Sequence, residues 1–355
     1  MNVLYLIHHA GQGGTERYVR DLMESGRVTP VFAYTQDGLL RKRAEALGIP
    51  VFRVPMPRRY GLRAARAVAG LCRDRQIDVI HTQFLRENTI ALLSRLFYRK
   101  PRVVYTNHLF FPNGFVTRLS NRVLSRLQHA VIAVCGPARV QLIRNGIPAR
   151  LIRLIHNGVD PAAWARLPNG AVRQETGVPD GVPVILYAAR FVEGKGHACL
   201  LEALAGLKEL PFHLLLAGDG ELRAETEKLA GRLGLSDRTS FLGFREDMRA
   251  VLSAAAICVN AASTEACSYN ILEAMAMGVP QVVSDGGGNA DLIGGENGLT
   301  YRDGDPEALA DALRRLLTDG DLREKCAKNA KETANRRFHI RDMLDATYSV
   351  YQGDK

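Results

Sequence analysis

The chain has 355 residues, 46% of them apolar and 24% charged, with a net charge of +10. That length exceeds what one hydrophobic core usually supports, so two domains of roughly 150 to 200 residues each are expected, and the composition excludes a disordered, collagenous or disulfide-scaffold chain. The charge is lopsided: residues 1–160 hold 25 Lys and Arg against 9 Asp and Glu, the remainder 22 against 28, and a block this basic calls for an anionic partner such as phospholipid headgroups, a phosphorylated acceptor or nucleic acid.

Met1 to Ile7 is a short apolar stretch that runs into His8, His9 and a glycine cluster rather than a cleavage site, so it reads as a first buried strand. Further apolar runs follow at Val31–Tyr34, Val51–Val54, Val79–His81, Val103–Thr106 and Ala130–Val134, with helix-like stretches between them. Continuous rather than alternating strands joined by helices predict a parallel sheet covered on both faces, the doubly wound α/β architecture.

The turn-rich segment Asn157-Gly158-Val159-Asp160-Pro161 then marks a boundary near residue 160. The pattern restarts with strands expected at Val184–Ala188, Phe212–Ala217, Thr239–Leu242, Ala256–Asn260 and Gln281–Val283. Three helical stretches close the chain, Glu307–Thr318, Leu322–Arg336 and Ile340–Tyr351. The reading is a first domain over 1–160, a second over 161–336, and a terminal helix over 337–355 packing back toward the first domain, with the cleft between the two domains.

No window reaches the roughly 18 uninterrupted apolar residues of a membrane span, so the chain reads as cytoplasmic, with any membrane contact peripheral. Six cysteines (Cys72, Cys135, Cys199, Cys258, Cys267, Cys326) have neither disulfide-framework nor zinc spacing and read as reduced thiols. No Asp-x-Asp pair or His/Cys cluster stands at metal-ligand spacing, so no metal or other cofactor is expected.

Three places could carry chemistry. After the first strand, Gly11-Gln12-Gly13-Gly14-Thr15-Glu16 opens a helix near Arg17, where glycines let the backbone approach a phosphate and the helix dipole favours its charge. Beyond strand Val184–Ala188 stand Arg190 and Lys195-Gly196-His197, two cations able to clamp a diphosphate and offset the charge that grows as it leaves. The stretch from Glu265 to Glu273 places one carboxylate ahead of a helix starting at Tyr269 and another about one turn into it, suited to the vicinal hydroxyls of sugar and ribose.

Glu265 and Glu273 with Glu-Ala-Met-Ala-Met-Gly-Val-Pro following, Arg190 and Lys195-Gly196, Asn157-Gly158-Val159-Asp160, and Gly13-Gly14-Thr15-Glu16 together resemble glycosyltransferase family 4 nearly end to end. The resemblance implies a GT-B fold, two Rossmann-like domains, the first (1–160) acceptor- and membrane-facing and the second (161–336) holding the donor, and retaining transfer from a nucleotide diphosphate sugar. It implies that Glu273 holds the ribose hydroxyls, Glu265 the transferring sugar's hydroxyls, and Arg190 and Lys195 the diphosphate. Cys267, Ser268, Tyr269 and Asn270 complete the donor site, while the backbone at Gly13 and Gly14 closes over the diphosphate. His108, in Tyr105-Thr106-Asn107-His108, matches the family's active-site histidine. With no first-domain carboxylate placed as a covalent nucleophile, front-face displacement is expected by analogy. Two positions depart from the family pattern. Ala266, Cys267 and Ser268 stand where many members have a small residue and an aromatic, and His81-Thr82-Gln83 has one histidine where relatives often show two.

From Phe115 to Leu127, Phe115, Leu119, Val123 and Leu127 recur every four residues beside a row of Arg118, Arg122 and Arg126, after the aromatic loop with Phe110 and Phe111. A helix pairing an apolar stripe with a cationic one suits an anionic bilayer; the alternative is a core-facing helix with solvated arginines. A second basic stretch comprises Arg58, Arg59, Arg63, Arg66, Arg73 and Arg75. The expected partners are therefore a nucleotide-sugar donor, UDP-linked for preference, a lipid-linked anionic glycan acceptor of the lipopolysaccharide-core kind, and the inner face of the cytoplasmic membrane. The sugar expected is a hexose or a hexosamine, with N-acetylglucosamine as the specific candidate.

Rival readings are a nucleotide-sugar epimerase of the same architecture, a catalytically silent scaffold and a nucleic-acid-binding protein. An epimerase needs no Arg-rich first domain, and a silent scaffold would be expected to lose Glu273, Arg190 or Lys195. A nucleic-acid protein would rest on charge alone, without the aromatic-basic platform of a known module.

Overall fold

Each continuous apolar run forms a strand because, in a parallel sheet sandwiched between helices, neither face is wet and successive side chains are all buried. The computed structural model describes residues 1–109, 111–168 and 170–353. Contacts divide them into two units, one built from residues 1–157 with the segment from 342 onward, the other from residues 158–341.

In the first unit, β1 (Asn2–His9), β2 (Thr29–Gln36), β3 (Val51–Arg53), β4 (Val79–Thr82), β5 (Arg102–Asn107), β6 (Ala130–Ala133) and β7 (Ile152–Leu154) form one parallel sheet in the order β3-β2-β1-β4-β5-β6-β7. Leu4 of β1 pairs with Val31 on one side and Ile80 on the other. In the second unit, β8 (Val184–Ala188), β9 (His213–Ala217), β10 (Thr239–Gly243), β11 (Ile257–Asn260), β12 (Gln281–Ser284) and β13 (Leu299–Tyr301) lie in the order β10-β9-β8-β11-β12-β13, again parallel. Both are doubly wound Rossmann-like sheets, and each order reverses once, between β1 and β4 and between β8 and β11. Loops diverge at the carboxyl ends of those strands and leave a crevice there.

The core follows from the pleat. Along β8, Ile185 and Tyr187 enter one buried apolar cluster while Val184 and Leu186 enter another on the opposite face; β9 does the same with Leu214 and Leu216 against Leu215 and Ala217. Two local expectations need correction. The helix after β1 begins at Gly14 rather than near Arg17, because Gly13 and not a side-chain cap supplies the N-terminal turn. The Phe115 helix ends at Leu124 and continues as a 3₁₀ turn over Ser125–Leu127, which takes Arg126 and Leu127 out of the α-helical register. Among the described residues no helix is long and apolar enough to cross a membrane.

Candidate active site

The second unit concentrates charge at its switch point. Beyond β8 the chain passes Arg190, which is exposed, and turns at Gly194 and Gly196 into the helix His197–Ala205. Gly196 has φ +69, and a Cβ there would stand 2.2 Å from the carbonyl oxygen of Ala261, so only glycine lets this loop lie against the one after β11. A backbone bond from Ser263 N–H to the Gly194 carbonyl (3.0 Å) joins the same two loops. The result is direct contact between Lys195 Nζ and Glu265 Oε1, both partly buried.

Beyond Glu265 the helix Tyr269–Ala276 starts at Ser268 without a side-chain cap, and a helix start of this kind favours an anion. Cys267, Ser268 and Tyr269 are buried, and Ser268 Oγ accepts from Asn260 Nδ2 at 3.3 Å. With those side chains buried, what this segment offers outward is backbone. Asn270 Nδ2 donates to the Ala188 carbonyl at 2.5 Å, fastening the helix start to the end of β8. Glu273 is buried one turn into the helix. His197 is stacked on Phe191 with ring centroids 4.2 Å apart; burial, with the Lys195 charge beside it, pushes it down to about 4, so it is neutral near pH 7.

In the first unit β1 carries His8 next to its last residue, and the His8 N–H donates to Glu87 Oε1 at 2.6 Å. Glu87 is fully buried, and burial raises its carboxyl above the usual range despite the His8 hydrogen bond and the Arg86 charge. Arg86 Nη1 lies 2.9 Å from His8 Nε2. The helix Gly14–Glu24 starts at Gly13 with no side-chain cap, as the Tyr269 helix starts at Ser268. After β5, His108 Nε2 hydrogen-bonds with Gln83 Oε1 at 2.9 Å and its ring meets Tyr18 edge-on at 5.2 Å. Burial holds this imidazole down to about 3, so it acts as a neutral group. His81, wholly buried, hydrogen-bonds through Nδ1 to the Tyr351 hydroxyl (2.5 Å) and through Nε2 to Thr106 Oγ1 (2.7 Å).

The helix Phe115–Leu124 faces opposite to an ordinary amphipathic helix. Phe115 and Val116 are 76% and 75% exposed, Leu119 and Val123 each 54%, and Arg118, Arg122 and Arg126 are exposed beside them. Its inner face is polar. The Arg59 guanidinium donates to Thr89 Oγ1, Thr117 Oγ1 and Asn121 Oδ1 at 2.9–3.0 Å, and Asn121 Nδ2 donates to the Asn145 carbonyl. Phe111 is exposed; Phe110 lies outside the described residues.

Within the second unit the structure thus brings Lys195 and Glu265 into contact, with Arg190, Asn270 and Glu273 on the elements that frame them, while Gly13, Gly14 and His108 stand at strand ends of the first unit. Glu87, Arg86 and Tyr187 went unremarked in the sequence. Glu87 sits in a helical run with no motif around it, and nothing local marks a carboxylate that binds a backbone 79 positions away. Among the described residues no three His, Cys, Asp or Glu side chains are grouped to hold a metal, and no disulfide joins any of the six cysteines.

Residues 12–163 match the family described as Glycosyltransferase Family 4, and residues 169–333 the one described as Glycosyl transferases group 1. The lipopolysaccharide core biosynthesis glycosyltransferase LpsE of Rhizobium meliloti (strain 1021) is 37% identical over 175 residues, 49% of this chain and 51% of that protein. The alpha-D-kanosaminyltransferase of Streptomyces kanamyceticus is 30% identical over 246 residues, 67% of this chain and 64% of that one. The chain thus spans between about half and two thirds of the length of these curated relatives. Among solved structures, Anabaena Alr3699/HepE in complex with UDP superposes with a TM-score of 0.89 at 24% identity, covering 99% of this chain and 100% of that one. A glycosyltransferase from Rickettsia africae ESF-5 gives 0.90 at 21%, covering 99% and 97%. At these identities the superpositions establish the fold.

Proposed function

We infer the activity from one premise: this chain belongs to the family 4 type of glycosyltransferases, built on the GT-B fold. It transfers a sugar from a nucleoside diphosphate to a lipid-linked glycan acceptor, with retention of configuration. The observation that carries this reading is the Lys195–Glu265 contact beside an uncapped helix start at the second sheet's switch point, a place where cation, carboxylate and backbone amides serve the diphosphate, the sugar hydroxyls and the phosphate oxygens together.

In this mechanism Arg190 and Lys195 hold the diphosphate, Glu265 the sugar hydroxyls and Glu273 the ribose. Cys267, Ser268 and Tyr269 contribute backbone N–H groups, and Asn270 keeps the helix start in place. In the first unit, Gly13 and Gly14 offer backbone at a helix start, suited to an anion, and His108 is a neutral active-site imidazole. The bond from the anomeric carbon to the leaving phosphate oxygen breaks as the acceptor oxygen bonds the same face. The acceptor hydroxyl's proton passes to that phosphate oxygen, and a nucleoside diphosphate departs. The two cations offset the departing charge, the work a divalent metal performs elsewhere, so the reaction is proposed to need no metal.

UDP is the nucleotide proposed first, because HepE, of the same fold, is seen with UDP; N-acetylglucosamine is the sugar proposed. The outward apolar and arginine rows of Phe115–Leu124, with Arg126 and Phe111, support a place on the anionic inner face of the cytoplasmic membrane. Similarity to LpsE supports a lipopolysaccharide-core acceptor.

The test is thermal stabilisation by UDP-, GDP- and ADP-sugars with and without EDTA, followed by transfer with the best donor. A selective shift that EDTA leaves in place, with transfer nearly abolished by Glu273→Ala, is expected. Absence of any shift, or normal turnover by the variant, would overturn the assignment.

A further inference from the structure

We propose that Tyr187 is a positioning residue for Lys195, its hydroxyl fixing the peptide from which the lysine reaches the donor diphosphate. This rests on the reading of Lys195 given above. Tyr187 is on β8 itself, 1% exposed, with its ring in the apolar core. Its hydroxyl donates to the Lys195 carbonyl at 2.5 Å.

This bond fixes the loop after β8 at the peptide that carries Lys195, across from the loop after β11 that carries Glu265. On its other side the loop is held by the Ser263 N–H bond to the Gly194 carbonyl (3.0 Å). Its flanking glycines, Gly194 and Gly196, both have positive φ, and the Lys195 N–H makes a long 3.4 Å bond to the Val192 carbonyl. A peptide between two glycines can rotate cheaply. Fixing its carbonyl fixes the direction of the Lys195 Cα–Cβ bond, and with it the ammonium that meets Glu265. A phenylalanine would fill the same core volume and leave the carbonyl without its donor.

The experiment compares affinity for UDP and UMP, or for the mono- and diphosphate of whichever base the donor panel selects, in the wild type, Tyr187→Phe, Lys195→Ala and the double variant. Because Tyr187 acts through a group on the diphosphate, Tyr187→Phe should lower the preference for diphosphate over monophosphate roughly three- to tenfold, the effect of one hydrogen bond, and leave UMP affinity unchanged. Lys195→Ala should lower that preference at least as much, and adding Tyr187→Phe to it should change nothing further. Replacing Tyr187 by 4-aminophenylalanine, which restores a donor, should return the preference even if the phenylalanine variant folds poorly.

Equal loss of UDP and UMP affinity in Tyr187→Phe, or its full effect persisting on top of Lys195→Ala, would overturn the positioning role. So would a 4-aminophenylalanine variant that behaves like phenylalanine. A preference untouched by Lys195→Ala, or a wild type that binds none of the nucleotides, would instead overturn the site reading beneath it.

Discussion

Replacing Phe115 and Leu119 together by serine should release the chain from anionic vesicles without weakening its fold. Full burial of a Phe or Leu side chain contributes about 1.5–3 kcal/mol. In the folded chain Phe115 still exposes 76% of its surface and Leu119 54%, so sinking both into a headgroup region would add about 3 kcal/mol, roughly a hundredfold in partitioning. Neither contributes much to the core, because the helix is held from inside by Arg59 on Thr117 and Asn121, and loss of exposed side chains away from such features costs within about 0.5 kcal/mol. Cosedimentation with phosphatidylglycerol-containing and phosphatidylcholine vesicles, run beside a thermal melt, reads both quantities. Unchanged vesicle binding would refute the membrane face. A melting temperature lower by several degrees would show that the stripe packs against protein.

Two further outcomes follow from backbone strain and from titration. Gly196→Ala places an L-residue at φ +69 with its Cβ 2.2 Å from the Ala261 carbonyl oxygen. The conformation alone costs about 1–2 kcal/mol, so the melting temperature should fall by at least about 2–4 °C for a unit of this size, and an unchanged melt would contradict the loop geometry. His81 is wholly buried, and its pKa is lowered from 6.5 to about 3 by burial first and the neighbouring His108 second. A folded pKa below the unfolded one means that the unfolded chain takes up a proton the folded chain refuses. Stability is therefore full above about pH 6.5 and falls on acidification toward pH 3, by about 1.4 kcal/mol per pH unit for this one group. His81→Phe should flatten that limb in denaturant titrations between pH 6.5 and 4, and an equally steep limb would assign the loss to other groups.

What the sequence revealed and what it hid divide along physical lines. Buried central strands such as β1 and β8 were legible because neither of their faces meets water, which produces an unbroken apolar run. The edge strands β7 (Ile-Arg-Leu) and β13 (Leu-Thr-Tyr) were not. Each is three residues long at a sheet margin with a polar middle residue, a pattern indistinguishable from loop. The Gly14 helix start was hidden by low glycine propensity, which the local turn overrides. The carboxylates and cations of the second unit could be named from their motifs, but that Lys195 touches Glu265, 70 residues on, is a consequence of β8 and β11 being neighbours, and strand order has no local signature. For Phe115–Leu124 the four-residue spacing was plain and its direction was not: periodicity defines a stripe, and it is the half-buried Arg59, bonded to Thr117 and Asn121, that decides that the polar side faces inward.

The same distinction governs the basic half of the chain. Its excess positive charge reads in sequence as one field directed at an anionic partner, yet several arginines are committed to the protein itself. Arg66 lies over Phe97 at 5.9 Å, Arg73 over Tyr98 at 5.7 Å and Arg75 over Phe52 at 4.9 Å, contacts of about 0.5–1 kcal/mol each at exposed sites, while Arg59 is the internal anchor just described. Arg118, Arg122 and Arg126 stand instead beside exposed apolar side chains, where each can contribute about 1 kcal/mol against an anionic surface. The two sets should separate by experiment. Arg122→Ala should weaken binding to anionic vesicles about fivefold, with a reduced salt dependence and no change in melting. Arg73→Ala should lower stability slightly and leave vesicle binding within twofold, because its ring contact serves the fold. If both variants lose vesicle affinity equally, the surface is a diffuse electrostatic one and the Phe115 helix has no special part in it.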